Sequence, residues 1–411
     1  MKNIAVYTLT SSLHDAAAIE ASSQDFLKEV FPDGGFDYKG TDYSDFGQHV
    51  LDLIYVRTGG TEGEFLKLLP KLHGVSHFYL LTSGKSNSLA ASMEILSYLN
   101  QNGMSGEILH GAGLDEKVRA IAAARRASRS LRGLRLGVLG RPSDWLISSA
   151  ADYARVKAAL GIELLDIPME EVKAAIEAAP EGGAESQAFD LVAQRADKVC
   201  AAIPGALRIH RGLEQIVRDL GLGGFTLRCF DLLTAFGNTG CLSLARFNAA
   251  GIPAACEGDV PALLSMAIAR AVTGSTGFMA NPSRMDPAAG KIVFAHCTVP
   301  FDMVDSAALD THFESGIGVG IKGHIPSAPA TILKVSGDLS RVFIAEGTIV
   351  RNLSEPDLCR TQIELCLDDP SLVGSYFLTA PIGNHHIIIP GRHGATLRVF
   401  QKLILTFGHE S

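Results

Sequence analysis

Residues Arg228–Pro300 read RCFDLLTAFGNTGCLSLARFNAAGIPAACEGDVPALLSMAIARAVTGSTGFMANPSRMDPAAGKIVFAHCTVP. Polar residues in this stretch gather at the ends of apolar runs and are nearly absent within them. The run Ile252-Pro-Ala-Ala-Cys256 predicts a short buried strand, and Glu257 follows it directly. Asp259, just ahead of Val260-Pro261, has the position of a helix N-cap with proline in the first turn. His296 lies inside a second run, Ile292-Val-Phe-Ala-His-Cys297. A carboxylate and an imidazole at the mouths of successive strands is how α/β proteins place chemistry. The segment is therefore expected to hold a metal and a substrate, with the rest of the chain positioning it.

Toward the N-terminus, strand and helix signals alternate. Ile4-Ala-Val-Tyr7, Leu51-Asp-Leu-Ile-Tyr-Val56 and Phe78-Tyr-Leu-Leu81 each end in a polar turn, and the last two lead into amphipathic segments. The pattern restarts at Leu134-Arg-Leu-Gly-Val-Leu139 and Gly161-Ile-Glu-Leu-Leu-Asp166, with a helix from Met169 to about Ala179. The stretch Pro180–Glu185 reads as a loop or linker. A helical region, Phe189–Leu220, follows and is expected to break near Pro204-Gly205. Such alternation implies parallel sheets covered on both faces. We expect two Rossmann-like parallel-sheet domains, 1–130 and 131–275.

After residue 275 helical periodicity fades and Gly and Pro become frequent. Ala330–Val335, Arg341–Ala345 and Gly347–Val350 are short β-type runs, with turns expected at Gly337-Asp338 and Glu346-Gly347. Residues 276–411 are thus expected to form a β-rich, antiparallel, barrel-like domain. Seven of the thirteen histidines fall between His296 and the C-terminus, which draws the functional surface toward this part.

With 411 residues the chain favours two or three domains. A hydrophobic fraction of 47% supplies ample core, and a net charge of −8 argues against general binding to nucleic acid or anionic membranes. Seven cysteines without CxxC spacing suit reduced thiols better than a disulfide framework. No apolar run approaches the roughly 20 residues of a membrane span, and Ile4–Tyr7 reads as a strand rather than a signal core. A soluble, cytoplasmic protein is expected. Thr82-Ser-Gly-Lys-Ser86 lacks the upstream glycine of a phosphate loop, and neither GxSxG nor HExxH occurs.

Several residues carry both a plain and a functional reading. Asp259 is a helix cap in the first and an acid–base group in the second. Glu257 precedes the cap and leaves the strand, so a ligand or metal role suits it better. Asn281 in Asn281-Pro282 is either a turn residue or an amide-oxygen ligand. His296 is either a satisfied core histidine or a metal ligand. Adjacent strand residues face opposite ways, so His385 and His386 should part, one inward and one outward. A carboxylate, one or two imidazoles and an amide oxygen suit Mn²⁺ or a similar ion.

Arg228-Cys-Phe-Asp231, Asn238-Thr-Gly-Cys241, Gly251–Val260 and His385-His386 resemble the L-fucose/L-arabinose isomerase family. The likeness holds over about 225–300 and near the C-terminus, and over 1–200 it is one of architecture. The resemblance implies two Rossmann-like domains followed by a β-rich one, a homo-oligomer, and a divalent metal, Mn²⁺ above others. It also implies aldose–ketose isomerisation of a sugar or anionic sugar derivative through an ene-diol. By resemblance Glu257 matches the first metal-binding carboxylate, and Asn281 stands where the fucose-isomerase pattern has a second acidic ligand. His296 matches a strand histidine of the arabinose-isomerase branch. His386, ahead of His385, matches the late metal-binding histidine.

Asn281 is a departure, because an amide cannot take up a proton. With Glu257 kept as ligand or catalytic base, the second acid–base group would come from Asp259, Asp286 or a neighbouring subunit. Arg57 and Arg141 are candidates to hold an anionic group, against plain surface or salt-bridged roles. Lys322, His324, Arg392 and His393 flank Gly-rich turns and could rim the same cleft. The alternatives are a non-catalytic sugar-binding protein of the same fold, and a lyase or epimerase working through the same enediolate.

Overall fold

The computed structural model describes residues 4–12, 14–72, 74–180, 192–195 and 197–407. It divides into two compact units, 1–126 and 127–411. The expected linker falls mostly on residues 181–185, outside the described residues.

In the first unit, strands β1 (Ile4–Leu9), β2 (Asp37–Gly40), β3 (Leu51–Val56), β4 (His77–Leu81) and β5 (Ser105–Leu109) form one parallel sheet, ordered β2-β1-β3-β4-β5. Helices α1 (Ala16–Val30), α2 (Glu62–Leu68), α3 (Ser88–Gln101) and α4 (Leu114–Leu131) alternate with the strands, and the division between units falls inside α4. β1 and β3 are buried along their whole length, which is why they read as unbroken apolar runs.

The second unit opens with β6 (Arg135–Leu139), α5 (Tyr153–Leu160), β7 (Glu163–Ile167), α6 (Met169–Ala178), β8 (Val192–Arg195) and α7 (Asp197–Asp219). It continues through β9 (Gly224–Leu227), α8 (Phe230–Phe236), α9 (Cys241–Ala249), β10 (Ala254–Cys256) and α10 (Val260–Thr273). Four of these strands make a parallel sheet, β10-β9-β6-β7. The expected break at Pro204 does not occur, since α7 runs through it. Proline removes one backbone bond, and the burial of Val199, Ala206, Leu207, Ile209 and Leu213 outweighs that loss.

The remaining strands are β11 (Phe278–Asp286), β12 (Lys291–His296), β13 (Ser306–Asp310), β14 (Gly320–His324), β15 (Pro329–Val335), β16 (Val342–Asn352), β17 (Thr361–Leu367) and β18 (His386–Pro390), before α11 (Gly394–Phe407). Six of them close into an antiparallel barrel, β11-β12-β17-β16-β15-β18. β14, β13 and β8 form a small separate sheet. The barrel is packed by Phe278, Phe294, Phe343, Ile332, Ile363, Leu365, Phe377 and Ile388.

The turn expected at Glu346-Gly347 is absent, because both residues lie inside the eleven-residue β16. Gly347 is there for closeness rather than for turning. A Cβ on it would stand 2.4 Å from the Cys366 carbonyl oxygen of β17. Gly347→Ala should therefore lower unfolding free energy by about 2 kcal/mol, read as a lower urea midpoint.

Candidate metal centre

The turn after β10 is built to push one side chain out of the parallel sheet. Glu257 has φ +62° and Gly258 φ +72°, so the chain reverses within two left-handed residues. A Cβ at Gly258 would meet the Arg141 carbonyl oxygen at 2.5 Å, which explains why the second of them is glycine. The Ser143 amide donates to the Glu257 carbonyl at 2.9 Å and fixes the turn against the loop after β6. A left-handed glutamate is a strained choice of the kind found at functional sites.

Glu257, His296 at the end of β12 and His385 just before β18 meet there, with one possible ligand atom from each lying within 4.8 Å of the others. Glu257 Oε1 is 3.4 Å from His385 Nε2 and 3.9 Å from His296 Nε2. Two atoms bound to one ion at about 2.1 Å each lie roughly 3–4 Å apart, so this spacing fits a shared divalent cation. Both imidazoles are engaged at Nδ1. His385 donates to Asp259 Oδ2 at 2.8 Å, and the Thr298 hydroxyl is 2.9 Å from His296. Each Nε2 therefore faces the centre, and that of His385 is buried without a hydrogen-bond partner. A buried ring nitrogen aimed at a carboxylate and lacking a hydrogen bond is a donor that a metal would satisfy.

The electrostatics follow from this arrangement. Burial pushes the Glu257 carboxyl up, but His296 and His385 more than offset it and hold it far below the usual carboxylate range. Burial would lower His385, yet Asp259 and Glu257 raise it to about 9. Burial dominates at His296 and lowers it. Trp145 donates its indole N–H to Glu257 Oε2 at 2.7 Å, which leaves Oε1 for the histidines. Phe230 packs edge-on against Trp145 at 4.8 Å, and His312 against Phe230 at 5.6 Å.

His386 does not reach this cluster. It turns into the barrel among Phe343, Tyr376 and Phe377. Its Nδ1 donates to the Asn384 carbonyl at 2.8 Å and its Nε2 accepts from the Tyr376 hydroxyl at 2.9 Å, so neither nitrogen is spare. Burial pushes it down to about 3. The pair does split between two faces, with His385 rather than His386 at the centre.

Asn281 stands at the same barrel rim, opposite Ala295 and next to the Ala280–His386 pair. Its Oδ1 accepts from Asn384 Nδ2 at 3.1 Å. Asp259 is wholly buried; Oδ1 caps α10 through the Ala262 amide at 2.8 Å, while Oδ2 takes His385 and lies 3.5 Å from the Lys334 ammonium. Burial raises its carboxyl, but Lys334 and His385 bring it down to about 2. It has no face open to a substrate. Asp286 lies five residues beyond Asn281, roughly 16 Å along β11, and accepts from the Ala288 and Ala289 amides in the hairpin turn. It is not brought to the centre.

The basic candidates also disperse. Arg57, in the first unit, bonds Glu20 at 2.6 Å and the Thr10 hydroxyl at 2.6 Å. Arg141 is exposed beside Asp144 at 3.2 Å and lines a cleft of about 610 Å³ with Gly140, Tyr153, Arg228 and Asp231. Lys322 and His324 point outward from β14, to Ser354 and Asp305. Arg392 pairs with Asp368, and His393 bonds the Pro390 carbonyl. The last two follow Pro390, five residues and about 16 Å along β18 from His385, so they do not rim the centre.

Trp145, Thr298, His312 and Lys334 are the neighbours that sequence reasoning missed. Trp145 alone had a visible signal, as the chain's one tryptophan in a polar turn at the carboxyl edge of a parallel sheet.

No family model matches the chain. It is similar to a sulfoquinovose isomerase of Clostridium sp. (strain MSTE9), 31% identical over 137 residues, covering 31% of this chain and 30% of that protein. It is similar as well to sulfoquinovose isomerases of Priestia aryabhattai and Priestia megaterium, each 24% identical over 237 residues, covering 54% of this chain and 52% of each relative. These alignments span about a third to a half of the relatives' length. No helix among the described residues is long and apolar enough to cross a membrane.

Two helix caps of like geometry separate capping from the extra duty of Asp259. Asp152 caps α5 at the surface, accepting from the Arg155 amide at 2.9 Å. Asp152→Ala should cost about 1 kcal/mol. Asp259→Ala, which strands the buried His385 and Lys334, should cost about 3–5 kcal/mol in the same urea titration.

Proposed function

We propose that the chain is a divalent-metal-dependent aldose–ketose isomerase acting on an anionic sugar. The observation that carries this reading is the convergence of His385 Nε2, which lacks a hydrogen-bond partner, and His296 Nε2 on Glu257 Oε1. Likeness to sulfoquinovose isomerases supports the reaction class and points to a hexose bearing a sulfonate.

In this reading Glu257, His296 and His385 hold the ion, with Mn²⁺ the first choice for a mixed carboxylate–imidazole set. When bound, the ion supplies Lewis-acid stabilisation of negative charge on two neighbouring substrate oxygens. Trp145 fixes the rotation of the Glu257 carboxylate, and Asp259 fixes that of His385. The proton that moves between C1 and C2 needs a carrier other than Asn281, which has no proton affinity to offer. Asp259 is enclosed and Asp286 lies at the far end of its strand, so we assign the carrier within this unit to the turn between β13 and β14, whose His312 packs on Phe230 beside Trp145.

His312 and Glu314 occupy that turn. Burial, then His296, lowers His312 to about 4, so the ring is neutral and only a weak proton acceptor, which leaves Glu314 the better carrier. Burial, then the charge of Glu257, raises the Glu314 carboxyl above its ordinary value, the direction a proton carrier needs. For the sulfonate we propose Arg141, an exposed arginine whose pair with Asp144 is open to solvent and whose carbonyl packs against Gly258, next to Glu257.

The test is NMR of a sulfonated hexose in deuterated water with Mn²⁺ added to metal-free protein. Wild type should exchange deuterium into C2. Glu257→Gln should lose both metal binding and exchange, whereas Glu314→Gln should keep the metal and slow turnover roughly 100-fold. Metal binding without exchange across a broad sugar panel would instead support a non-catalytic sugar-binding protein, the reading that Asn281 favours.

A second measurement addresses the anion. Arg141→Ala should raise KM for the sulfonated hexose roughly tenfold, with little change for the unsubstituted sugar.

A further inference from the structure

We propose that Lys334 is a positioning residue for the metal centre, acting through Asp259 on His385. This rests on the metal-centre reading above. Lys334 sits on β15 with its side chain 1% exposed, and Asp259, its ion-pair partner, is 0% exposed. Burying an ammonium and a carboxylate is expensive, and such a pair seldom contributes net stability over apolar residues of the same size. The pair therefore needs a reason beyond packing.

Helix capping does not supply one. A neutral Asn, Ser or Thr caps an N-terminus about as well as Asp, with no charge to bury. What a neutral cap cannot do is accept the His385 Nδ1 proton with the strength of a carboxylate. Oδ1 is taken by the Ala262 amide at 2.8 Å, and Oδ2 meets both His385 Nδ1 at 2.8 Å and Lys334 Nζ at 3.5 Å. The Lys334 contact is long for a charge-assisted bond, so its chief effect is the positive charge it places behind the carboxylate. That charge is what allows an anion to remain in an enclosed site and hold His385 with Nε2 forward.

The two histidines differ in this respect. His296 is oriented by the neutral Thr298 hydroxyl at 2.9 Å, so the charged support is specific to His385. One further bond ties the two elements together. Ser265 of α10 accepts from the Val335 amide at 3.0 Å, which anchors β15 beside the helix that Asp259 caps. A partner behind a metal-binding imidazole typically changes metal affinity 10–100-fold when removed.

The experiment titrates metal-free protein with cobalt(II) chloride and follows the visible absorption of the bound ion. Lys334→Met should bind about 10–100-fold more weakly than wild type, with its far-UV circular dichroism unchanged. Lys334→Gln, which keeps an N–H donor without the charge, is measured beside it and should also bind at least about tenfold more weakly. A folded variant of either kind that binds within about twofold of wild type, with the same spectrum, overturns the proposal. Failure of both variants to fold assigns the pair to folding alone and overturns it too. Wild type that binds no cobalt removes the metal centre itself, and this inference with it, so the wild-type titration tells the two failures apart.

Discussion

The carboxylate of Asp259 is the contact on which the second unit depends. It belongs to the turn that ends the parallel sheet, it starts α10, and it holds a histidine from the barrel. One enclosed group thus joins elements separated by 126 residues of chain. Because both oxygens are used, the turn cannot rotate without breaking a buried bond, and the direction of Glu257, two residues earlier, is set with it. The site is precise because its support is more deeply buried than its reacting face.

Barrel closure does the remaining work. β12 and β18 run the same way on either side of β11, and their stagger brings the end of the first, where Ala295 faces Asn281, level with the start of the second, where His386 faces Ala280. His386, one residue further on, is drawn into an aromatic interior where Phe343 and Tyr376 stack at 3.5 Å. Neighbouring residues of one type thus take unlike environments. One imidazole is raised by two carboxylates, and the other is lowered by burial among rings.

Much of this was legible in local patterns. Leu51–Val56 and Leu134–Leu139 read as buried parallel strands because apolar runs bounded by polar turns have few other stable uses. Asp259 read as a cap because proline in the first turn marks a helix start. Glu257 was set apart by leaving its strand without a capping role. Gly347 misled, since a glycine inside a strand and a glycine in a turn look alike until the opposing carbonyl of Cys366 is present. Pro204 misled because the packing that sustains α7 comes from other elements.

The sequence by itself determined the layers, the β-rich ending, the acidic turn and the fact that His385 and His386 must part. Each follows from chemistry within a few residues of chain: apolar period, cap and turn residues, strand alternation. Tertiary structure decided which histidine joins Glu257, that Asp259 is sealed behind it, and that Lys334 lies behind Asp259. Those outcomes depend on strand register and barrel closure, which set contacts across 75 and 126 positions and leave no mark on the residues nearby.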